Sequence, residues 1–475
     1  MTAGPAGLER LGLSHSLHSL GTVLLGLNAA DPAAARRILS EARRSLSPAR
    51  RAELASLGIA GKAALWADPA AWARAAHDAA FDNIGRTIVL SRERARGHPT
   101  NALRSDEIVW GRAPARLDLG GGWSDTPPYS LEHGGRVINA AVDLNGQPPI
   151  HVYARVVPKP EIHINSIDHG ARTVIRSLDE LLDYRNATSG FGLAKAALAL
   201  AGFSPGAAEW PGRARTLEAM LKAFGGGIEL TTLAAIPSGS GLGTSSIVGA
   251  VIAAVVHRLF GRTLTARELF HFVLRLEQEL TTGGGWQDQI GGVVPGVKVI
   301  TAAAGLIPDP KIRAVAPDIL DPAMNGGRTL LYYTGLRRLA KNILRNVVGN
   351  YLDGDPGALR TLRELRAFPP GMRAAMERRD MAEFGRLIDV AWNLNKRIDP
   401  ASSTPEVEAI LDRLRPHMFG AKLLGAGGGG FLLVACKSAK DAREAKRKLE
   451  ARPPNPRARF FGFGVSGDGL CLTVC

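Results

Sequence analysis

Ile236-Pro-Ser-Gly-Ser-Gly-Leu-Gly-Thr-Ser-Ser246 is the stretch on which the fold turns. Its alternating glycines expose successive backbone N–H groups, and the apolar run Ile247 to Phe260, closed by Gly261, reads as a helix. Thr244 or Ser245 is the natural N-cap, and Gly261 the residue just past the C-terminus. N–H groups gathered at a helix N-terminus, backed by the helix dipole, make an anion site. Pro237, Ser238, Gly239, Ser240, Gly241, Leu242, Gly243, Thr244, Ser245 and Ser246 are therefore the candidate phosphate-binding residues. The hydroxyls at 244–246 are hard oxygen ligands of the kind Mg2+ takes. A Walker A loop is excluded, because no lysine precedes the Ser/Thr. The glycine spacing is not that of a dinucleotide fingerprint either.

The next helix opens on Thr265-Ala-Arg-Glu268, a capping-box pattern, and its apolar stripe runs through Leu269, Phe270, Val273, Leu276 and Leu280. Glu277 falls at the border of that stripe, where a carboxylate is costly unless paired or bound to metal. It is the metal candidate, and Glu279 reads as solvated. Eleven residues beyond Glu277, the loop Thr282-Gly-Gly-Gly-Trp-Gln-Asp288-Gln presents one carboxylate among glycines, a position suited to a base.

Two more glycine-rich stretches flank these. Arg112-Ala-Pro-Ala-Arg116-Leu-Asp118-Leu-Gly-Gly-Gly-Trp123-Ser-Asp125 runs a strand into glycines, then offers an arginine, two carboxylates and an indole. Carboxylates that accept paired bonds from adjacent hydroxyls, with Trp123 covering an apolar ring face, suit a sugar. Lys422-Leu-Leu-Gly425-Ala-Gly427-Gly-Gly-Gly430 matches the dinucleotide spacing literally, but a β-rich run follows it instead of a helix. Its backbone, at Gly427 and Gly428, is a candidate for phosphate or sugar oxygens.

Residues 1–105 differ in texture. They are rich in Ala, Leu and Arg, with helical blocks near 6–27, 31–46, 48–58 and 69–95, and they carry no catalytic constellation. From residue 106 short β-like runs alternate with helices without a repeating βαβ period, which predicts an α+β architecture in two lobes. The formal charge of +15 raises nucleic-acid binding, but the basic residues are mixed with acids and no aromatic-basic stacking motif is visible. The arginine pairs at 36–37, 43–44 and 50–51 read as a solvated helix face. Three cysteines fit a reducing compartment, no run is long enough to span a membrane, and Leu20 to Leu27 lacks the basic flank of a secretory signal; a cytoplasmic enzyme is expected.

Taken in order, the three stretches resemble the motifs of the GHMP kinases, most specifically Pro237-Ser-Gly-Ser-Gly-Leu-Gly-Thr-Ser-Ser246. Trp110-Gly-Arg-Ala-Pro, Gly121-Gly-Trp-Ser-Asp-Thr-Pro-Pro-Tyr129, Leu144-Asn-Gly-Gln-Pro-Pro149, Thr282 to Gln289 and Tyr332-Tyr-Thr-Gly335 look like L-fucokinases, in particular the kinase half of bifunctional fucokinase/GDP-fucose pyrophosphorylases. The resemblance implies a two-lobed GHMP kinase fold: a helical extension over 1–105, an ATP-binding lobe over 106–300 and a C-terminal lobe over 301–475. It implies ATP and Mg2+, with Arg116 facing the transferred phosphoryl group, Ser245 and Glu277 on the metal, Asp288 at the acceptor hydroxyl and Asp125 on sugar hydroxyls. Galactokinases have a glutamate where this chain has Gly122, serving a 6-hydroxyl that fucose lacks. The expected reaction is ATP-dependent phosphorylation of the anomeric hydroxyl of L-fucose. A heptose-phosphate kinase and a non-catalytic ATP- and sugar-binding sensor are the rival readings. No nucleotidyltransferase segment is recognised, so the expected product is the sugar 1-phosphate. The N-terminal helices are the expected contact for a second copy or a pyrophosphorylase.

Overall fold

The computed structural model describes residues 5–59, 63–90, 97–186, 191–205, 209–237, 239–280, 283–336 and 340–475. Ser238 of the candidate phosphate loop and Thr282 lie outside the described residues.

Four helices lead the chain: Pro5–Ala30, Pro32–Ser45, Pro48–Ser56 and Pro69–Leu90. Asp31 accepts from the backbone N of Ala33 and Ala34 at 3.0 and 2.9 Å, and Ser47 from that of Arg50 at 3.2 Å. In both cases proline, with its φ already helical, fills the first position. The three arginine pairs are exposed, as their spacing predicts. The opposite faces close a core around Leu17, Leu39, Trp66, Trp72 and Ile84, and that core continues onto Leu131, Leu274, Val348 and Leu352. The extension is therefore packed onto the rest of the chain.

Beyond it the described residues form three sheets. The first runs, strand by neighbouring strand, Cys471–Val474, Val109–Ala113, Ile150–Val157, Gly227–Ala234, Ile162–Ser166 and Ala171–Ile175. The second centres on the antiparallel strand Gly135–Leu144, paired with Ala115–Gly120, Phe463–Val465 and Val297–Ala302, the last of which also pairs Lys311–Val315. The third, Met418–Leu423, Phe431–Cys436, Thr329–Tyr333 and Arg459–Phe461, belongs to the C-terminal lobe. The expected boundary at 300 falls inside Val297–Ala302, and the last strands of the chain return to the first two sheets. One hydrophobic cluster accordingly joins Leu117, Ile228 and Val251 to Met372, Phe384 and Phe431.

The strand expected to run into the glycines is present as Ala115–Gly120, and it is buried throughout although it carries Arg116 and Asp118. Ala439–Ala451 buries only three side chains, so its stripe is too thin to read. No helix among the described residues is long and apolar enough to cross a membrane.

Candidate active site

The three glycine stretches, far apart in sequence, meet at one junction. Helix Thr244–Leu259 starts with Gly243 as N-cap, at φ 71°, and no side chain caps it. Thr244 and Ser245 are thus the first helical residues, not the cap as expected, and the first-turn N–H groups keep their anion-binding capacity. The loop is pressed against the third stretch. A Cβ on Gly241 would stand 2.2 Å from the Leu424 carbonyl oxygen, and one on Gly430 2.3 Å from that of Ser240. Phe431 N donates to the Ser240 carbonyl at 3.0 Å, and Arg116 N to that of Leu242 at 3.1 Å. Only bare backbone fits this junction.

Charged side chains fill the space beneath the loop. Arg116 is buried and paired with Asp288, while its Nη1 lies 3.4 Å from the Gly241 carbonyl. Arg116 Nε is buried with no protein partner, 3.3 Å from where a Gly243 Cβ would lie, so a donor faces the phosphate loop. Burial disfavours that cation, but Asp288 and Asp118 outweigh it and hold its pKa above the usual arginine value. The Asp288 side chain is 33% exposed and forms the open end of the cluster. It sits in the first turn of helix Gln287–Val293, not in a loop as expected.

Gln287, beside it, is the hub. Its backbone N donates to Asp125 Oδ2 and its Nε2 to Asp118 Oδ1, each at 2.9 Å. The two aspartates are set apart by their surroundings. Asp118 is buried, which alone would raise it, but the Lys422 ammonium bonded to it and the Arg116 guanidinium hold it below the usual carboxylate range. Asp125 is equally buried and is pushed up to about 7, helped by the charge of Asp288. Lys298 lies below them, donating to the carbonyls of Gly291 and Gly296 at 2.9 and 3.1 Å, and burial lowers it to about 7.

Glu277 is buried as its stripe position implied, and Ser246 Oγ donates to its Oε1 at 2.8 Å. The hydroxyl on the metal candidate is therefore that of Ser246; Ser245, the expected partner, is exposed. Glu279 is not solvated: Arg185 Nη2 donates to it at 2.9 Å and the Tyr184 hydroxyl at 3.3 Å. Gly428 N donates to the Ser402 carbonyl, and a Cβ on Gly427 would meet Ser402 at 2.5 Å. These two glycines thus face protein where substrate oxygens were expected. Trp123, half-buried with φ 72°, leans on the main core beside Asp125.

Behind the loop lies a cavity of about 270 Å³, walled by Ile164, Phe191, Val248 and Ile252, with Gly239, Thr244 and Ser245 at one side and Ser166 and Thr232 lining it. No group of three or more His, Cys, Asp or Glu among the described residues is arranged to hold a metal by itself. One carboxylate and one hydroxyl, as at Glu277 and Ser246, fit a Mg2+ that takes its remaining oxygens from phosphate and water. Sequence reading missed Lys422, Lys298 and Gln287, and it paired Glu277 with Ser245 where the structure pairs it with Ser246. The available signal was a lysine within an otherwise apolar strand, as at Lys422 and Lys298.

Comparison with known proteins agrees with this geometry. The family model for the GHMP kinases N terminal domain matches residues 213–296, and that for the GHMP kinases C terminal matches 372–455. An L-fucokinase/L-fucose-1-P guanylyltransferase of Bacteroides fragilis is 42% identical over 399 residues, 84% of this chain and 42% of the relative. A bifunctional fucokinase/GDP-fucose pyrophosphorylase of Arabidopsis thaliana is 34% identical over 340 residues, 71% of this chain and 30% of the relative. The chain thus spans less than half the length of these curated relatives. A solved D-glycero-D-manno-heptose 1-phosphate kinase superposes with a TM-score of 0.55 at 19% identity, over 77% of this chain and 98% of that one, which speaks to the fold alone. The chain thus carries the GHMP kinase N terminal and C terminal domains, in that order.

Proposed function

We propose that the chain is an ATP-dependent sugar 1-kinase that converts L-fucose to fucose 1-phosphate. The observation that carries this is Asp288: it is held by Arg116 directly beneath the phosphate loop and joined through Gln287 to Asp125. The names of the two relatives support fucose as the acceptor. In this reading the lobe 106–300 binds nucleotide, the lobe 301–475 closes the cleft, and the 270 Å³ cavity takes the adenosine.

Phosphoryl transfer asks a protein mainly for positioning and charge stabilisation. The N-terminus of helix Thr244–Leu259 and the backbone of Gly239 to Gly243 hold phosphate oxygens. Ser246 and Glu277 would hold Mg2+, which supplies charge neutralisation between those oxygens. Arg116 places a buried positive charge at the transferred group. Asp288 orients the anomeric hydroxyl and takes its proton as the oxygen bonds to phosphorus and ADP leaves. Asp125, near the midpoint of its titration at neutral pH, both accepts from and donates to sugar hydroxyls. A Cβ on Gly122 would stand 3.3 Å from Asp118 Oδ2 and 3.1 Å from Gln287 Oε1, so a glutamate there would crowd Asp118. That favours a 6-deoxy sugar. A cytoplasmic setting agrees with three cysteines outside any disulfide.

A panel of fucose, galactose, arabinose, mannose and a heptose phosphate with MgATP, read by coupled ADP formation, tests the reading. Fucose should give the highest kcat/KM. A preference for the heptose phosphate moves the chain to the rival kinase class, and ADP formation with none of them leaves the sensor.

We also place a pyrophosphorylase partner on the outer face of the N-terminal helices, where Leu20, Val23 and Ile38 are 57%, 67% and 49% exposed. Both relatives carry that activity in their names, in chains more than twice as long as the matched part. Native mass measurement with the guanylyltransferase half of the Bacteroides relative should show a complex that Val23→Glu abolishes. A homodimer through this face, or no complex, contradicts the placement.

A further inference from the structure

The short helix Tyr129–His133 begins four residues after Asp125. Backbone bonds run without a gap from the acceptor loop into it: Ser124 N to Gly121 O, Thr126 N to Trp123 O, Ser130 N to Thr126 O, and Glu132 N to Pro128 O, at 3.1–3.3 Å. Five residues are too few for a helix to hold itself in water. Its shape is imposed from outside, by contacts from the N-terminal extension and from helix Ala340–Leu352.

Glu132 is the point of attachment. Its carboxylate lies 3.1 and 3.3 Å from His15 Nε2, and it accepts the Tyr351 hydroxyl. The other ring nitrogen of His15 lies 3.0 Å from the Leu352 carbonyl at the end of helix Ala340–Leu352, and Ser19 Oγ donates to the same oxygen at 3.2 Å. One turn further along the first helix, His18 Nδ1 meets Asp353 Oδ1 at 2.7 Å and Thr22 Oγ1 donates to Asp353 Oδ2 at 2.9 Å. Both neighbours of His15 are acceptors, so the ring satisfies both only as imidazolium. Leu131, next to Glu132, is buried in the extension's own core with Val348 and Leu352. The first helix thus buckles the end of the acceptor loop to a helix of the other lobe.

We propose that Glu132 is a positioning residue for the sugar-binding loop Trp123 to Asp125, clamped by His15 and Tyr351, so that the N-terminal helices are part of the kinase's working unit. The inference rests on the sugar-kinase reading above. None of the three side chains touches the phosphate loop, so sugar binding and nucleotide binding should separate.

The test compares the full chain with His15→Ala, His15→Gln, Glu132→Gln and Tyr351→Phe. It reads the KM for sugar, the KM for MgATP, kcat and the melting temperature. His15→Ala and Glu132→Gln should each raise the sugar KM about fivefold to tenfold, the scale of one ordinary hydrogen bond, with the KM for MgATP within about twofold. Tyr351→Phe, which leaves no cavity, should raise the sugar KM with little change in melting. His15→Gln, which keeps a donor toward Glu132, should recover part of the loss. Lower melting temperatures with an unchanged sugar KM in all four would reduce the clamp to a purely structural contact and overturn the proposal. Wild-type protein that turns over no sugar would instead overturn the underlying reading, so the two failures are distinguishable.

Discussion

Residues 239–246 offer backbone at the proposed phosphate site, whereas residues 116–125 offer side chains at the proposed acceptor site. The first region needs close approach and an uncapped helix end, both written locally as glycines ahead of an apolar run. The second has two aspartates seven residues apart whose pKa values are shifted in opposite directions, and that is arranged from far away. Lys422 keeps Asp118 charged from 304 residues down the chain, while burial with no bonded cation lifts Asp125 to about 7. Backbone sites tolerate little side-chain bulk but depend on few partners. Side-chain sites fail when any one distant partner is lost.

The largest expected effect breaks the second region. Lys422→Met leaves Asp118 buried without its ammonium and should destabilise the fold by about 3–5 kcal/mol in denaturant unfolding. Adding Asp118→Asn should recover part of that loss. Asp288→Asn, which keeps the fold, should lower kcat by at least ~100-fold, the usual scale for a lost general base. Near-normal turnover would remove it from the role. The backbone region is next: Gly241→Ala puts a Cβ 2.2 Å from a carbonyl oxygen at φ 78°, a strain of about 1–3 kcal/mol that should appear chiefly in the KM for MgATP.

The two aspartates should also give stability profiles of opposite slope. Asp125, raised from 3.8, stays protonated in the fold where the unfolded chain has ionised, so its contribution is complete below 3.8 and is lost as pH rises toward about 7. Asp118, lowered, contributes above 3.8 and loses that contribution as pH falls through its folded value. Asp125→Asn should flatten the first slope, measured by unfolding between pH 4 and pH 8 (roughly the span over which such groups act). The smallest effect separates neighbouring hydroxyls. Ser246→Ala should weaken the Mg2+ dependence of turnover, while Ser245→Ala, at the exposed rim, should change it by less than about threefold.

The same contrast explains what was legible in the sequence. The glycine loop ahead of a buried helix, the capping box at Thr265, the placing of Glu277 inside its helix and the four leading helices all follow from local spacing, and the structure has them. The identity of the hydroxyl beside Glu277 did not follow, because it depends on how the helix is rotated within a packed layer. Glu279 looked solvated until Arg185, 94 residues away, met it. Asp288 looked like a loop residue because Gly283 to Gly285 hide the start of its short helix. Strand Ala115–Gly120 was legible from the glycines it runs into, but its complete burial was not, since Arg116 and Asp118 break the apolar pattern of an interior strand.

The central assignment, a phosphoryl group delivered to the anomeric oxygen beside Asp288, is tested most directly by the phosphorus-31 spectrum of the product formed from fucose and MgATP. One new resonance, split by the anomeric proton and appearing in step with ADP, is the expected result. A phosphate coupled to any other sugar proton, or ADP release with no sugar phosphate, would contradict it.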